Sequence, residues 1–280
     1  MVLMDALRVE GLCKQYPGFA LREVSFSVQS GRIAGFIGRN GAGKTTTLKA
    51  LLNLVHPDSG RVAFFGQPFG AAELAIKQRI GFVSGGIDYY SKKRLGTITA
   101  VTRRFYDRWD ETAYRRYLQR FDLAEGKTPS QLSAGMRVKY ALALALSHRA
   151  ELLILDEPTS GLDPVSREDL LEAFLELAAE GIGILFSTHI TSDLEKCADD
   201  IIYIRNGAII GSGELAAFRE QYRLVRLTPE EARGWEERLI GRRRAKEGIT
   251  ALVRAGEALP PGTVAEAADL EAIMVHSEKE

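Results

Sequence analysis

The apolar positions near the start of the chain come in short runs. Val24-Ser25-Phe26-Ser27-Val28 alternates apolar and polar residues, the pattern of a half-buried strand, and Leu7-Arg8-Val9 reads the same way. Ile33 to Ile37 is almost wholly apolar and is followed by glycines, which predicts a central strand covered on both faces. After a loop at 38–43, Leu48, Leu51, Leu52 and Val55 recur at helical spacing ahead of Pro57. Residues 61–66 read as another short strand. Residues 98–146 read as largely helical, with Phe105, Trp109, Tyr114, Tyr117, Leu118 and Phe121 as apolar anchors. Leu152 to Leu155 and Ile182 to Phe186 are uninterrupted apolar runs, as parallel strands between helical layers show. Between them Asp163-Pro164 opens a helix with Leu170, Leu171, Phe174, Leu175 and Ala178 on one face and Gly181 at its end. Ile201 to Ile204, Asn206-Gly207 and Ala208 to Ile210 read as a hairpin.

Past about residue 220 the character changes. Arg and Glu become dense, Pro260-Pro261-Gly262 marks a turn, and Tyr222 to Leu227 and Ile249 to Val253 read as short strands of a small second domain. Composition narrows the class. With 45% apolar and 26% charged residues in 280, the chain reads as a soluble globular protein. Its 37 basic and 37 acidic side chains balance, so no electrostatic argument favours nucleic acid as a partner. Cys13 and Cys197 are far apart and lack metal-ligand spacing, the pattern of reduced thiols in a cytosolic protein. The start of the chain lacks the features of a signal peptide, and no apolar run approaches the ~18 residues that span a bilayer. Any link to a membrane is therefore expected to run through another polypeptide.

The chemistry begins at Gly38-Arg39-Asn40-Gly41-Ala42-Gly43-Lys44-Thr45, followed by Thr46. It matches G-x-x-x-x-G-K-[ST] between a strand and a helix. The glycines let backbone amides turn inward around phosphate oxygens, and the following helix adds its positive end. Lys44 is expected to reach the β- and γ-phosphates, and the Thr45 hydroxyl to bind Mg²⁺. Asp156-Glu157 follows the apolar run at 152–155, at the strand end where open α/β sheets place ligands. Asp156 is expected to hold Mg²⁺ and Glu157 to act as general base on a water. An acidic pair there also suits a helix cap or a solvated turn. His189, at the end of the next apolar run, is either a structural histidine or a sensor of the γ-phosphate. Tyr16 is an aromatic that either stacks on adenine or merely closes a turn.

Gln131-Leu132-Ser133-Ala134-Gly135-Met136 resembles the signature motif of ATP-binding cassette transporters, usually written LSGGQ. Asp156-Glu157-Pro158-Thr159-Ser160-Gly161-Leu162-Asp163-Pro164 is similar to that family's Walker B and D-loop run. The resemblance covers about residues 6–215. It implies an α/β fold, a P-loop NTPase core with an N-terminal antiparallel β-subdomain and a helical signature subdomain at about 86–147. The cassette is expected at 1–217 and a small α+β C-terminal domain at 218–280. It further implies ATP and Mg²⁺, a second cassette subunit packed head to tail, identical or different, and transmembrane permease subunits. Ser133 would offer a hydroxyl and Gly135 an exposed amide to the γ-phosphate of the partner, and Asp163 would belong to the loop crossing the dimer. The chain is then expected to be cytoplasmic, peripheral on the inner face of the cell membrane.

Two departures stand out. Ala134 and Met136 replace the family's Gly and Gln, a change exporter-type cassettes tolerate. The family usually follows Ile-Gly-aromatic-x-x with Gln, or sometimes an acidic residue, whereas Ile80-Gly81-Phe82-Val83-Ser84 is followed here by Gly85-Gly86. Gly85 has no side chain for Mg²⁺ or water, and Ser84 and Asp88 are the candidate substitutes. Tyr89, Tyr90 and Lys92-Lys93-Arg94 suit either a docking groove for a permease helix or a solvated surface. Gly81 to Ser84 and the tail Leu270 to Val275 resemble bacterial exporter-type cassettes paired with separate ABC-2-like permeases, including subunits linked to peptide-antibiotic resistance. Arg242-Arg243-Arg244 suits anionic lipid headgroups or plain solvation. The rival readings are a soluble cassette ATPase acting on ribosomes or DNA, and a regulatory module that holds ATP without turnover.

Overall fold

The computed structural model describes residues 4–84, 90–246, 248–259 and 262–278. β1 (Asp5–Tyr16) and β2 (Phe19–Gln29) form an antiparallel hairpin in which Tyr16 pairs with Phe19 beside the turn. β3 (Ile33–Ile37) is buried at every position and runs through the glycine loop into α1 (Lys44–Leu51). β4 (Ser59–Phe64) and β5 (Gln67–Pro68) complete a first sheet in the order β2-β1-β4-β5. There follow α2 (Glu73–Lys77), β6 (Ile80–Ser84), α3 (Leu95–Thr102), α4 (Glu111–Arg120) and α5 (Ala134–Ser147). Then come β7 (Leu152–Asp156), α6 (Pro164–Ala179), β8 (Gly183–Thr188), α7 (Thr191–Cys197), β9 (Asp200–Arg205) and β10 (Ala208–Glu214). α8 (Leu215–Glu220) leads to β11 (Tyr222–Leu227), β12 (Ile240–Ala245), β13 (Gly248–Arg254), β14 (Ala265–Ala267) and α9 (Leu270–Ser277).

The central sheet has the order β10-β9-β3-β8-β7-β6, parallel except for β10. Every residue of β3, β7 and β8 is buried, because helices cover one face and the first sheet, together with α1 and α2, the other. Side chains of β3 alternate between these layers: Ile33 and Ile37 join the helical core, Ala34 and Phe36 the core under the first sheet. The third sheet, β12-β13-β11-β14, is antiparallel and has its own small cluster of Val225, Leu227, Ala251 and Val253. α9 does not stay with that cluster. Its Leu270 and Ile273 are fully buried in the main core. Burial of this kind contributes roughly 1.5–3 kcal/mol per side chain.

Several expectations shift. α1 stops at Leu51, short of Val55, because Asn53 takes a left-handed conformation (φ 57) and the amides of Leu54 and Val55 turn back to the Lys49 carbonyl. Phe105 is not an anchor. It ends a 3-10 turn (Arg103–Phe105) after α3, and its ring is 70% exposed. Leu175 faces outward and Leu177 takes its place in the core, since seven residues from Leu170 complete two turns and five do not. The border expected at 217–218 falls inside α8. The docking residues Tyr90 and Lys92 to Arg94 are exposed, while Gly85, Gly86, Asp88, Tyr89, Pro260 and Pro261 lie outside the described residues.

α5 is pinned at its far end by His148, its C-cap. The imidazole is buried, stacked on Tyr106 at 3.7 Å and 7°, with Nδ1 3.2 Å from the Gln78 carbonyl. Burial disfavours its charged form and pushes its pKa down to about 4.

Candidate active site

Strand register brings the candidate residues to one edge. Ile37 pairs with Thr188, and Asp156 with both Ser84 and Ser187, so β3, β6, β7 and β8 end level. The phosphate loop therefore leaves the sheet beside Asp156, Glu157 and His189.

The loop is tightly seated. A Cβ on Gly38 would lie 2.4 Å from the Ile204 carbonyl oxygen of β9. Gly43 has φ 114, and a Cβ there would meet Leu21 at 2.8 Å and Phe19 at 2.9 Å. Gly43 is also the N-cap of α1 and supplies no side-chain acceptor, which leaves the first-turn amides of the helix for a ligand. Lys44 is buried and curls back over the loop. Its Nζ donates to the Gly38 carbonyl at 2.7 Å and lies 3.1 Å from Glu157 Oε1.

Asp156 is buried and accepts from the hydroxyls of Thr45 at 3.1 Å and Ser187 at 2.6 Å, both on Oδ1. Ser187 does a second job, for its Oγ also accepts the Glu157 amide at 3.0 Å. Glu157 sits in left-handed backbone, φ 51, a costly conformation for a residue with a side chain. That bend turns its carboxylate away from the sheet, between Lys44 on one oxygen and His189 Nδ1, at 2.9 Å, on the other. Both carboxylate oxygens are thus engaged, one by an amine and the other by an imidazole.

These groups line a cleft of about 630 Å³. Asn40, Gly41, Gly43, Lys44, Thr45, Thr46, Glu157 and His189 are on its wall. Gly38 contributes through its carbonyl alone. Ala42 is buried behind the loop, where its carbonyl accepts the Gly207 amide of the β9–β10 turn at 2.9 Å. Tyr16 is not on the wall; its neighbour across the hairpin, Phe19, is. Tyr16 instead has the Lys14 amine 5.6 Å from its ring. The hairpin twist carries Phe19 over Gly43 and leaves Tyr16 to the side.

The signature residues are elsewhere. Ser133 caps α5, its Oγ accepting from the Met136 amide at 3.2 Å. Gly135 is buried, not exposed as expected. α5 packs there against α6, and a Cβ on Gly135 would lie 3.0 Å from Ser166 Cβ. Asp163 caps α6, accepting from the Ser166 hydroxyl and amide at 2.6 and 3.0 Å, contacts that hold its carboxyl below the usual range. None of the three lines the cleft.

Gly18, Phe19, Arg39 and Ser160 also line the cleft, and Ser187 is buried under Asp156, though none of the five had a role in the sequence reading. Ser187 was detectable as the hydroxyl two places before His189. Phe19 carried no signal, since only the hairpin turn beside it brings it to the cleft, and Ser160 was visible as a member of the 156–164 run.

Thr45 Oγ1 and Asp156 Oδ1 make an adjacent pair of hard oxygen donors, which fits Mg²⁺. No group of three or more His, Cys, Asp or Glu that could hold a metal occurs among the described residues. No helix among the described residues is long and apolar enough to cross a membrane.

Comparison with known proteins agrees with this geometry. Residues 21–160 match the ABC transporter family model. The chain is similar to the ABC transporter ATP-binding protein YtrB of Bacillus subtilis, 30% identical over 72% of this chain and 69% of that one. It is 36% identical to the Nod factor export ATP-binding protein I of Burkholderia lata, over 68% of this chain and 64% of that one. The matches thus span about two thirds of these relatives' length. A solved ATP-binding subunit of an ABC transporter superposes with a TM-score of 0.70 at 30% identity, covering 77% of this chain and 92% of that one. With the phosphate loop, the buried Asp156 and the Glu157–His189 pair on one sheet edge, the chain belongs to the ABC transporter family, as one of its ATP-binding ATPase cassettes.

Proposed function

We propose that this cassette hydrolyses ATP to drive a substrate, outward, through separate transmembrane permease subunits. The observation that carries the reading is Glu157, held between Lys44 and His189 beside the phosphate loop. Without nucleotide the Lys44 amine is neutralised by Glu157. Phosphate oxygens entering the cleft compete for that amine and release the carboxylate to act on water. His189, with Nδ1 on the other carboxylate oxygen, orients it, and in the doubly protonated form its Nε2 can also donate to the transferred phosphoryl group. Thr45 and Asp156 would hold Mg²⁺, which supplies charge neutralisation on the β- and γ-phosphates.

The contacts expected from Ser133 and Gly135 to phosphate are absent from the cleft, because neither residue is on its wall. This supports a head-to-tail pair in which one chain's α5 N-terminus faces the other's phosphate loop. Gly135 packs against Ser166 within its own chain, so its part would be to let α5 approach α6 closely, and the contact to phosphate would fall to Ser133 and the helix end. Asp163, the cap of α6, would stand at that interface. Exposed Val101 and Phe105, with Tyr90 and the basic Lys92 to Arg94, suit an apolar permease segment with a negative edge. Outward transport is the direction that the Nod factor relative's name carries. In this setting residues 1–217 form the cassette and 218–280 an accessory domain, with the protein peripheral on the inner membrane face.

The test is the solution mass of Glu157→Gln with and without ATP and Mg²⁺. The isostere keeps the site's shape but cannot take a proton. A shift from one chain to two on adding ATP is expected, with bound ATP uncleaved. A chain that binds ATP and stays monomeric overturns the self-paired sandwich, and wild-type protein without ATPase activity returns the reading to a non-hydrolysing module.

A further inference from the structure

α9 is held at both ends by elements that adjoin the nucleotide site, α7 and β9. At its start, the Leu270 amide donates to Glu195 Oε1 at 2.9 Å, and Asp269 caps the helix by accepting from the Ala272 amide at 2.7 Å. Glu195 belongs to α7, which begins two residues after His189. The helix then runs eight residues, about 12 Å. At its end Arg205 of β9 donates to the Ser277 carbonyl, and the hydroxyl of Tyr203, also on β9, donates to Glu278 Oε1 at 3.2 Å. Tyr203 is the register partner of Ile37, the last residue before the phosphate loop. Glu278 is thereby placed behind that loop.

The other carboxylate oxygen, Glu278 Oε2, lies 3.8 Å from Arg39 Nη1. Arg39 belongs to the phosphate loop and lines the cleft. The two partners differ in freedom: the Glu278 side chain is 12% exposed and the Arg39 side chain 67%. The carboxylate is fixed by Tyr203 and the guanidinium is free to swing. Nucleotide brings ~4 negative charges to the cleft, and an arginine at its rim is the side chain best shaped to grip phosphate. While Arg39 pairs with Glu278, its charge is partly cancelled and its fork is turned to the tail of the chain.

We propose that Glu278, carried by α9, is a positioning residue that holds Arg39 in competition with the nucleotide phosphates and so sets ATP affinity. The inference rests on the ATP-binding reading of the cleft. It also gives the third sheet a path to the site. Arg243 of β12 donates through Nε and Nη2 to the Val275 carbonyl at 3.0 and 2.7 Å, and His276 Nδ1 lies 2.6 Å from the Gly241 carbonyl. Gly241 has φ 58, and a Cβ on it would lie 1.7 Å from the His276 carbonyl oxygen, so β12 and α9 touch without a side chain between them.

The experiment is a double-mutant cycle on the full chain, reading the ATP dissociation constant, KM and kcat for wild type, Glu278→Gln, Arg39→Ala and the double variant. Glu278→Gln keeps the side chain's shape and its hydrogen bond from Tyr203. It is expected to tighten ATP binding and lower KM about threefold, the scale of an exposed ion pair, with kcat unmoved because Glu157 and His189 are untouched. In the Arg39→Ala background the same change is expected to do nothing. Glu278→Gln without effect on ATP binding overturns the proposal, as does an equal effect with and without Arg39. Wild-type protein that fails to bind ATP refutes the nucleotide reading itself.

Discussion

Around Asp156 and Glu157, four contacts of 2.6 to 3.1 Å join Lys44, Thr45, Ser187 and His189 across the ends of three strands, β3, β7 and β8. Around the start of α5, Ser133 is engaged with its own helix and Gly135 with α6, and no contact reaches the cleft. The first region is organised by strand register and is complete in one chain. The second is a capped helix end, stable by itself, whose N-terminal charge has no partner in the cleft of its own chain. The sheet edge gathers its groups within one chain, and on the proposed reading the signature helix would act through a second chain.

The widest separation between the two regions is expected from Lys44→Ala. Losing the buried amine removes a charge-assisted contact to phosphate and leaves Glu157 facing the nucleotide unneutralised. ATP affinity should fall at least about a hundredfold, read by titration calorimetry, with α5 intact by circular dichroism. Loss of less than about tenfold would break the claim that the cleft alone holds the nucleotide.

A second effect concerns how α5 is anchored at its far end. Unfolded, the His148 imidazole takes up a proton near its ordinary 6.5; folded, only near about 4. The stability it contributes is therefore whole above pH 6.5, declines as pH falls, and levels off below about 4. The decline amounts to about 3 kcal/mol over that window. Urea unfolding at pH 7.5 and 4.5 should show it, and His148→Gln should flatten that part of the profile. An unchanged slope would mean that other groups set the acid limit.

The smallest effect sharpens the comparison most. Ser133→Ala removes the α5 cap and should cost about 1 kcal/mol of stability, seen as a modest drop in Tm. Single-chain ATP affinity should stay as in wild type, while turnover, if it needs the facing chain, should fall. A matching fall in single-chain affinity would place Ser133 in the cleft of its own chain after all.

Much of the central sheet was legible because its strands advertise burial. Ile33 to Ile37, Leu152 to Leu155 and Ile182 to Phe186 are apolar on both faces, and only a covered parallel sheet satisfies that pattern. The β9–β10 hairpin was equally plain from Asn206-Gly207. Phe105 and Leu175 misled for different reasons. An aromatic side chain does not say whether its turn points inward, as Phe105 shows, and a phase error of about half a turn separates Leu175 from the face that Leu177 occupies. Tyr16 was legible as an aromatic near the loop, but the hairpin's twist selected Phe19 for the wall.

The sequence by itself determined the chemistry of the cleft. Glycines before Lys44-Thr45, and Asp156-Glu157 and His189 each directly after an apolar strand, are local statements that hold wherever the strands sit. Tertiary structure alone decided what these groups meet. Strand register put Ser187 under Asp156, and the left-handed turn at Glu157 aimed its carboxylate between Lys44 and His189. The return of α9 to β9 brought Glu278 to Arg39 across 239 positions of chain, 278 less 39. Such contacts depend on packing between distant segments, and nothing in local periodicity or spacing encodes which distant side chain arrives.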